Sequence, residues 1–132
     1  MTKEFVPYQE ALELKQLGFD EPCFGWYQDN TLRLDINSNQ SIKFHEHLGR
    51  FKGCFLAPTF SQAFRWFREK YNLNHVITVA DFGKYEIGNP DFQCAIYSKD
   101  PVLITNMYNY NTYEEAELAC LRKLIEIVKQ NG

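Results

Sequence analysis

The residues best suited to chemistry lie in the middle of the chain, where His45 and His47 precede Cys54. Histidines at alternate positions of a strand would point both imidazoles to one face, but a zinc site needs three or four convergent ligands. No spaced partner follows, so an exposed polar segment is favoured, and no metal or cofactor is predicted. Cys54 with a histidine base is the enzymatic alternative. The apolar neighbours of Cys54 favour a buried, inert thiol.

A second candidate site is basic. Arg65 and Arg68 lie one turn apart in a predicted helix, with Trp66 beside them. Guanidinium groups bind phosphate through paired N–H donors, and an indole can stack on a base. The surrounding segment, residues 41–70, holds six basic and two acidic residues in a chain of net charge −3. A nucleic acid or nucleotide is therefore one candidate partner, although a solvated helix face is the simpler interpretation.

Amides and phenols are concentrated in residues 106–113, which include Tyr108 and Tyr110. Tyrosine and asparagine together form adaptable contact surfaces in protein recognition. We expect this segment to be a loop before the last helix. Its tyrosines either bind a protein partner or lean back onto the sheet, and the sequence leaves both readings open.

Three helices are predicted from their ends. Pro7 suits a first helical turn and Gly18 suits a helix C-terminus. Thr59 and Gln62 have the spacing of a capping box, in which each side chain bonds the backbone of the other residue. The helix that follows carries an apolar stripe with Phe64 at its middle. A second capping-box pair, Thr112 and Glu115, begins a last helix that runs to about residue 129.

Strands are predicted where apolar residues alternate or cluster between turn residues. A hairpin is centred on Asp29 and Asn30, and His75 is expected to be exposed or to cap the preceding helix. The other strand candidates are residues 42–44, 76–82, 84–87, 92–97 and 102–105. Short connections predict an antiparallel sheet. The fold class is α+β, a two-layer sandwich in which two main helices cover one sheet, with a short N-terminal helix and a single domain over residues 1–132.

Cellular setting is constrained by composition. The cysteines are too far apart to form a zinc or redox motif and are expected to be buried free thiols in a reducing cytoplasm. They are Cys23, Cys54, Cys94 and Cys120. No apolar run is long enough to cross a bilayer and the N-terminus has no apolar signal core. A cytoplasmic protein that does not bind membranes is predicted.

Three stretches carry a resemblance: residues 18–25 (GFDEPCFG), 57–71 (APTFSQAFRWFREKY) and 112–121 (TYEEAELACL). Together they resemble a group of small uncharacterised proteins of bacteriophage and prophage genomes. The resemblance implies a viral accessory role in the cytoplasm of a host cell. It implies no activity and no catalytic residue.

The predicted function is a non-enzymatic interaction module that acts on a host or viral protein. It is based on the lack of a catalytic constellation, the aromatic and amide-rich segment, and the resemblance. The candidate binding residues are Arg65, Trp66, Arg68, Tyr108 and Tyr110. The alternative is nucleic-acid or nucleotide binding through residues 41–70. Enzymatic activity is left open, with a non-enzyme favoured.

Overall fold

The computed structural model describes residues 2–34, 54–80 and 91–131. The chain divides into two compact units, Met1–Ala63 and Phe64–Gly132, which are described in turn. The single domain and the two-layer sandwich stay predictions, because both depend on how these units pack. Strand candidates 42–44 and 84–87 lie outside the described residues.

Both units combine helices with antiparallel strands, which confirms the predicted α+β class. The strands belong to two three-stranded sheets, where we expected one sheet. A short 3-10 helix, Thr2–Glu4, precedes the main elements. The elements are α1 (Tyr8–Gln16), β1 (Gly25–Gln28), β2 (Thr31–Leu34), β3 (Cys54–Ala57), α2 (Phe60–Tyr71), β4 (Asn74–Ala80), β5 (Asp91–Tyr97), β6 (Leu103–Tyr110) and α3 (Tyr113–Asn131).

Helix α1 has the ends that its sequence predicts. Pro7 is the N-cap residue, and Gly18 follows the helix with a φ of 100°. The amide of Gly18 donates to the carbonyl of Lys15 at 3.0 Å, and that of Phe19 donates to the carbonyl of Leu14 at 2.9 Å. These two bonds make a Schellman motif, in which glycine adopts the left-handed conformation without steric cost. Phe19 and Leu14 are both buried beside it.

The sheet of the first unit has the strand order β2-β1-β3. Asp29 and Asn30 connect β1 to β2 and both have positive φ, 50° and 66°. Positive φ at both central residues is the signature of a type I′ hairpin turn, so the predicted hairpin is confirmed. Strand β3 was not predicted. Its sequence, Cys54–Ala57, is a short apolar run without alternation, and periodicity alone does not identify such a strand.

Helix α2 begins with the predicted capping box and continues across the division between the units. The Gln62 amide donates to Thr59 Oγ1 at 3.2 Å, and the Thr59 amide donates to Gln62 Oε1 at 3.0 Å. Asn72 follows the helix with a φ of 56°, as expected for a helix end. The predicted apolar stripe is buried, including Phe64 and Phe67.

The second unit is a sheet of order β4-β5-β6 with α3 packed against all three strands. The central strand, β5, holds the consecutive buried residues Cys94, Ala95 and Ile96. Because side chains alternate along a strand, Cys94 and Ile96 lie on one face of the sheet and Ala95 lies on the other. Helix α3 begins where the sequence predicts, with the Glu115 amide donating to Thr112 Oγ1 at 3.1 Å.

Strand β6 extends further than expected. The sequence predicted a strand only to residue 105 and a loop over 106–113, whereas β6 continues to Tyr110. Two shifts of register interrupt its pairing with β5, and Asn109 has a φ of 72°. Such bulges insert an extra residue into one strand, which breaks simple alternation. The loop prediction is therefore wrong for residues 106–110.

None of the helices in the described ranges is long and apolar enough to cross a membrane.

Candidate functional site

The predicted histidine and cysteine site is only partly within the described ranges. Cys54 is buried in β3, as its apolar neighbours predicted, whereas His45 and His47 lie outside these ranges. All four cysteines are buried and free. Across residues 2–34, 54–80 and 91–131, no group of three or more histidine, cysteine or acidic side chains is arranged to hold a metal ion.

The outer face of α2 differs from its prediction at Trp66. Arg65 and Arg68 are exposed as expected, but Trp66 is only 5% exposed. Its indole makes edge contacts with Phe67 and Tyr71, at centroid distances of 5.1 and 5.4 Å. The expectation that Trp66 offers a stacking surface beside the arginines is therefore wrong.

The burial of Trp66 has a simple geometric reason. Position 66 is three residues after the buried Ala63, at the border of the apolar stripe, and a ring as large as indole reaches the core from there. The ammonium of Lys70, one turn later, lies 5.0 Å from the centroid of the Trp66 ring. A cation at this distance covers part of the ring that remains near the surface.

The two candidate tyrosines of β6 lie on opposite faces of their sheet. Tyr110 pairs with Phe92, and residues 92, 94 and 96 share the face on which α3 packs. Tyr108 follows Met107, the partner of Cys94, so its ring lies on the other face, where it is 46% exposed. The sequence grouped Tyr108 and Tyr110 into one binding segment, and the structure separates them.

The face that carries Tyr108 is open, and we call it the open face. Register places the following residues on it: Asn74, Val76, Thr78, Gln93, Ala95, Tyr97, Leu103, Asn106 and Tyr108. Val76, Leu103 and Tyr108 are exposed, and Asn106 lies opposite Ala95 in the middle of the face. The Gln93 amide donates to Thr78 Oγ1 at 2.9 Å across two strands.

Among the described residues of β4, β5 and β6, Asp91 is the one charged residue that alternation places on the open face. Asp91 begins β5 beyond the Thr78 and Gln93 pair, so its charge lies at the margin of the face and not at its centre. Exposed sheet faces usually carry polar and charged side chains, and exposed apolar clusters mark interaction sites. A face with aliphatic, aromatic and amide groups at its centre, and an acidic residue at its margin, suits contact with another protein surface better than contact with phosphate.

A second cluster lies on the opposite side of the same sheet and joins β5 to α3. Cys94 and Cys120 are both fully buried, and their thiols are hydrogen-bonded to one another. This interaction lowers the pKa of Cys94 and raises the pKa of Cys120. The sequence did not pair these residues, because 26 positions separate them. The sequence did indicate that each cysteine lies on the buried side of its own strand or helix.

Three further titratable groups surround this cysteine pair. Burial raises the pKa of Tyr110, and the charges of Cys94 and Cys120 raise it further. Burial raises the pKa of Tyr113, and the charge of Glu117 raises it further. Burial and Glu114 raise the pKa of Glu117. Each shift favours the neutral form of its group, so the cysteine pair lies among neutral phenols and a carboxyl group that is harder to ionise.

Comparison of the chain with protein-family models, with curated proteins and with solved structures gives no match. The resemblance to bacteriophage and prophage proteins therefore stays a prediction from the sequence.

Proposed function

We propose that this protein is a non-enzymatic interaction module whose open face binds a protein partner. The observation that carries the proposal is the exposure of Val76, Leu103 and Tyr108 on a sheet face whose one charged residue, Asp91, lies at its margin. Burying such groups against a partner removes apolar surface from water, and no charged residue has to be buried at the centre of the interface.

The chemistry of the open face specifies the partner. A complementary surface presents apolar or aromatic groups at its centre, together with donors and acceptors for the amide of Asn106. Tyr108 supplies a large ring with few rotatable bonds, which costs little entropy on binding. The choice of a host or viral protein, rather than another protein, rests on the sequence resemblance alone.

Capture from host lysate, followed by reconstitution, tests the proposal. The test variant is Leu103→Lys with Tyr108→Lys, which places two charges on the open face. The matched control is Val79→Lys. Val79 is 58% exposed on β4 of the same sheet and lies on the opposite face, because it pairs with Phe92. A protein that is captured by the wild type must also form a complex with it after both are purified.

We expect the wild type and Val79→Lys to form this complex and the double variant to lose it. Equal complex formation by all three proteins, or no reconstituted complex, contradicts the proposal. Size-exclusion chromatography of the purified protein alone distinguishes a second copy of this chain as the occupant of the face.

The alternative of nucleic-acid or nucleotide binding is an outcome of the same experiment. Arg65 and Arg68 are exposed, whereas Lys43, Arg50 and Lys52 lie outside the described residues. Binding of this kind weakens steeply with salt, because counterions are released from the polyanion. The alternative is supported if the wild type captures nucleic acid, the double variant Arg65→Glu with Arg68→Glu does not, and the open-face variant still does.

A further inference from the structure

Strand β4 is an edge strand, because it lies at one end of the order β4-β5-β6. The outer backbone N–H and C=O groups of an edge strand can pair with a strand of another chain. β4 pairs with β5 at every residue from Asn74 to Ala80, without a shift of register. Among the residues that the structure describes, β5 is the only strand with which it pairs. The other side of β4 is therefore a regular edge of seven residues.

The remaining edge strands of the two described sheets are protected, whereas β4 is not. Proteins protect such edges with short strands, charged side chains, proline, bulges or a covering helix. Strand β2 has four residues and carries Arg33, and β3 is largely buried and packs against α1. Strand β6 has two shifts of register and a left-handed residue, Asn109. Strand β4 has no proline and no register shift, and its one titratable side chain, His75, is stacked on Phe64.

Side chains on both faces of β4 are in contact with solvent. Val76 is 42% exposed on the open face, and Val79 is 58% exposed on the opposite face. Residues 76–79 are all β-branched, the type that packs well against a neighbouring strand. The side chains of β4, as well as its backbone, therefore suit a further strand pair.

We propose that β4 pairs in antiparallel orientation with β4 of a second copy of this chain, so that the two copies form one continuous sheet of six strands, three from each copy. A two-fold axis perpendicular to the sheet presents the same edge to both partners. Like charges that lie opposite one another destabilise a strand pair, and β4 has no acidic side chain and no Lys or Arg to bring to its own copy.

Charges near the two ends of β4 favour the antiparallel orientation. Arg68 is exposed and lies one helical turn after Phe64, which stacks on His75 near the beginning of β4. Asp91 of β5 pairs with Ala80 at the end of β4. Antiparallel pairing places the beginning of one β4 beside the end of the other, so a basic group and an acidic group approach one another. Complementary charges of this kind fix the register of an interface.

The pairing leaves the open face uncovered. Strands of one sheet share its two faces, so the open faces of the two copies would lie side by side on one surface and both α3 helices on the other. The inference is therefore independent of the proposed function. A seven-residue edge is about 24 Å long and a sheet is about 10 Å thick, so the contact is small beside a standard interface. We therefore expect an association that depends on protein concentration.

Sedimentation velocity over a wide range of concentrations, combined with hydrogen–deuterium exchange, tests the wild-type protein. We expect a monomer at low concentration and a dimer at high concentration. The amides of β4 should exchange more slowly as the dimer forms, whereas those of β6, at the other edge of the sheet, should not change. A protein that stays monomeric throughout, or a dimer in which β6 rather than β4 becomes protected, overturns the proposal.

Two charge variants identify the edge that is used. Val76→Lys with Val79→Lys adds the lysines by which natural edge strands avoid pairing. Leu103→Lys with Tyr108→Lys is the matched control, because it adds the same charge to β6 of the same sheet. We expect the β4 variant to weaken the dimer at least tenfold and the control to keep the wild-type Kd for the dimer.

The same pair of variants separates pairing through β4 from a second copy seated on the open face. Unchanged affinity of the β4 variant for itself, or equal weakening in the control, overturns the proposal. If circular dichroism shows that the β4 variant does not fold, the exchange pattern of the wild type still decides.

Discussion

The ring of Phe64 lies nearly parallel to the imidazole of His75, with centroids 3.7 Å apart and planes 13° apart. The stack joins α2 to β4 within the second unit. Burial, and then the charge of Arg68, lowers the pKa of His75 to about 4. The imidazole is therefore neutral at pH 7 and acts as a packing group, which corrects the expectation that His75 is exposed or caps the helix.

The low pKa of His75 predicts that the protein loses stability in mild acid. In the unfolded chain the imidazole has a pKa near 6.5, so as the pH falls the unfolded chain binds a proton before the folded protein does. Stability from this group is thus full above about pH 6.5 and declines as the pH approaches 4, by roughly 1–2 kcal/mol in total because solvent screens a ring that is only partly buried. Urea unfolding at pH 7 and pH 4.5 measures the loss.

His75→Phe is the control for this effect, because it keeps an aromatic ring on Phe64 but cannot titrate. Carboxyl groups titrate alike in both proteins, so only the difference between them reports His75. We expect a smaller acid loss in the variant. An identical loss in both proteins would show that His75 is not held neutral by the fold.

Replacing Phe64 by alanine should cost about 3–5 kcal/mol of the free energy of unfolding, because the ring is buried and its removal leaves a cavity. The neighbouring substitution Arg65→Ala is exposed and should cost less than about 0.5 kcal/mol. Urea unfolding of both variants gives the comparison. Similar losses would mean that the faces of α2 are wrongly assigned.

The phenol of Tyr27 provides a test within the first unit. Its hydroxyl donates to the carbonyl of Val6 at 2.6 Å in a buried setting. The ring also lies among Tyr8 and Phe55, so Tyr27→Phe keeps these contacts and removes only the hydrogen bond. We expect a loss of about 1 kcal/mol in urea unfolding, with the buried carbonyl left unsatisfied. No change would indicate that another donor replaces the hydroxyl.

Helix ends could be predicted from the sequence because their determinants are local. Thr59 with Gln62, and Gly18 after α1, satisfy backbone groups within a few residues, and the structure has both. Asp29 and Asn30 determine their hairpin in the same way. The outcome at each of these positions does not depend on the rest of the chain.

The features that sequence reasoning missed depend on distant partners. Strand β3 exists because it pairs with β1, and β6 extends past residue 105 because β5 supplies its hydrogen bonds. The bulge at Asn109 then turns Tyr108 and Tyr110 to opposite faces, which alternation alone does not show. The Cys94 and Cys120 contact likewise arises only when α3 packs on β5.

Charges on the open face should leave the fold intact. Leu103 and Tyr108 are both about half exposed, so Leu103→Lys with Tyr108→Lys should change the free energy of unfolding by less than about 1 kcal/mol. Urea unfolding at pH 7 checks this. A larger loss would mean that these side chains serve the core, and a loss of binding in the variant could then not be assigned to the open face.

The affinity for the purified partner, measured by calorimetry, tests the role of the open face most directly. Tyr108→Ala should weaken binding at least tenfold, about 1.4 kcal/mol, whereas Tyr110→Phe on the opposite face should leave the Kd unchanged. The two residues lie in the same strand and were equal candidates in the sequence. A Kd that is unaffected by Tyr108→Ala, or is raised equally by both substitutions, would contradict binding through the open face.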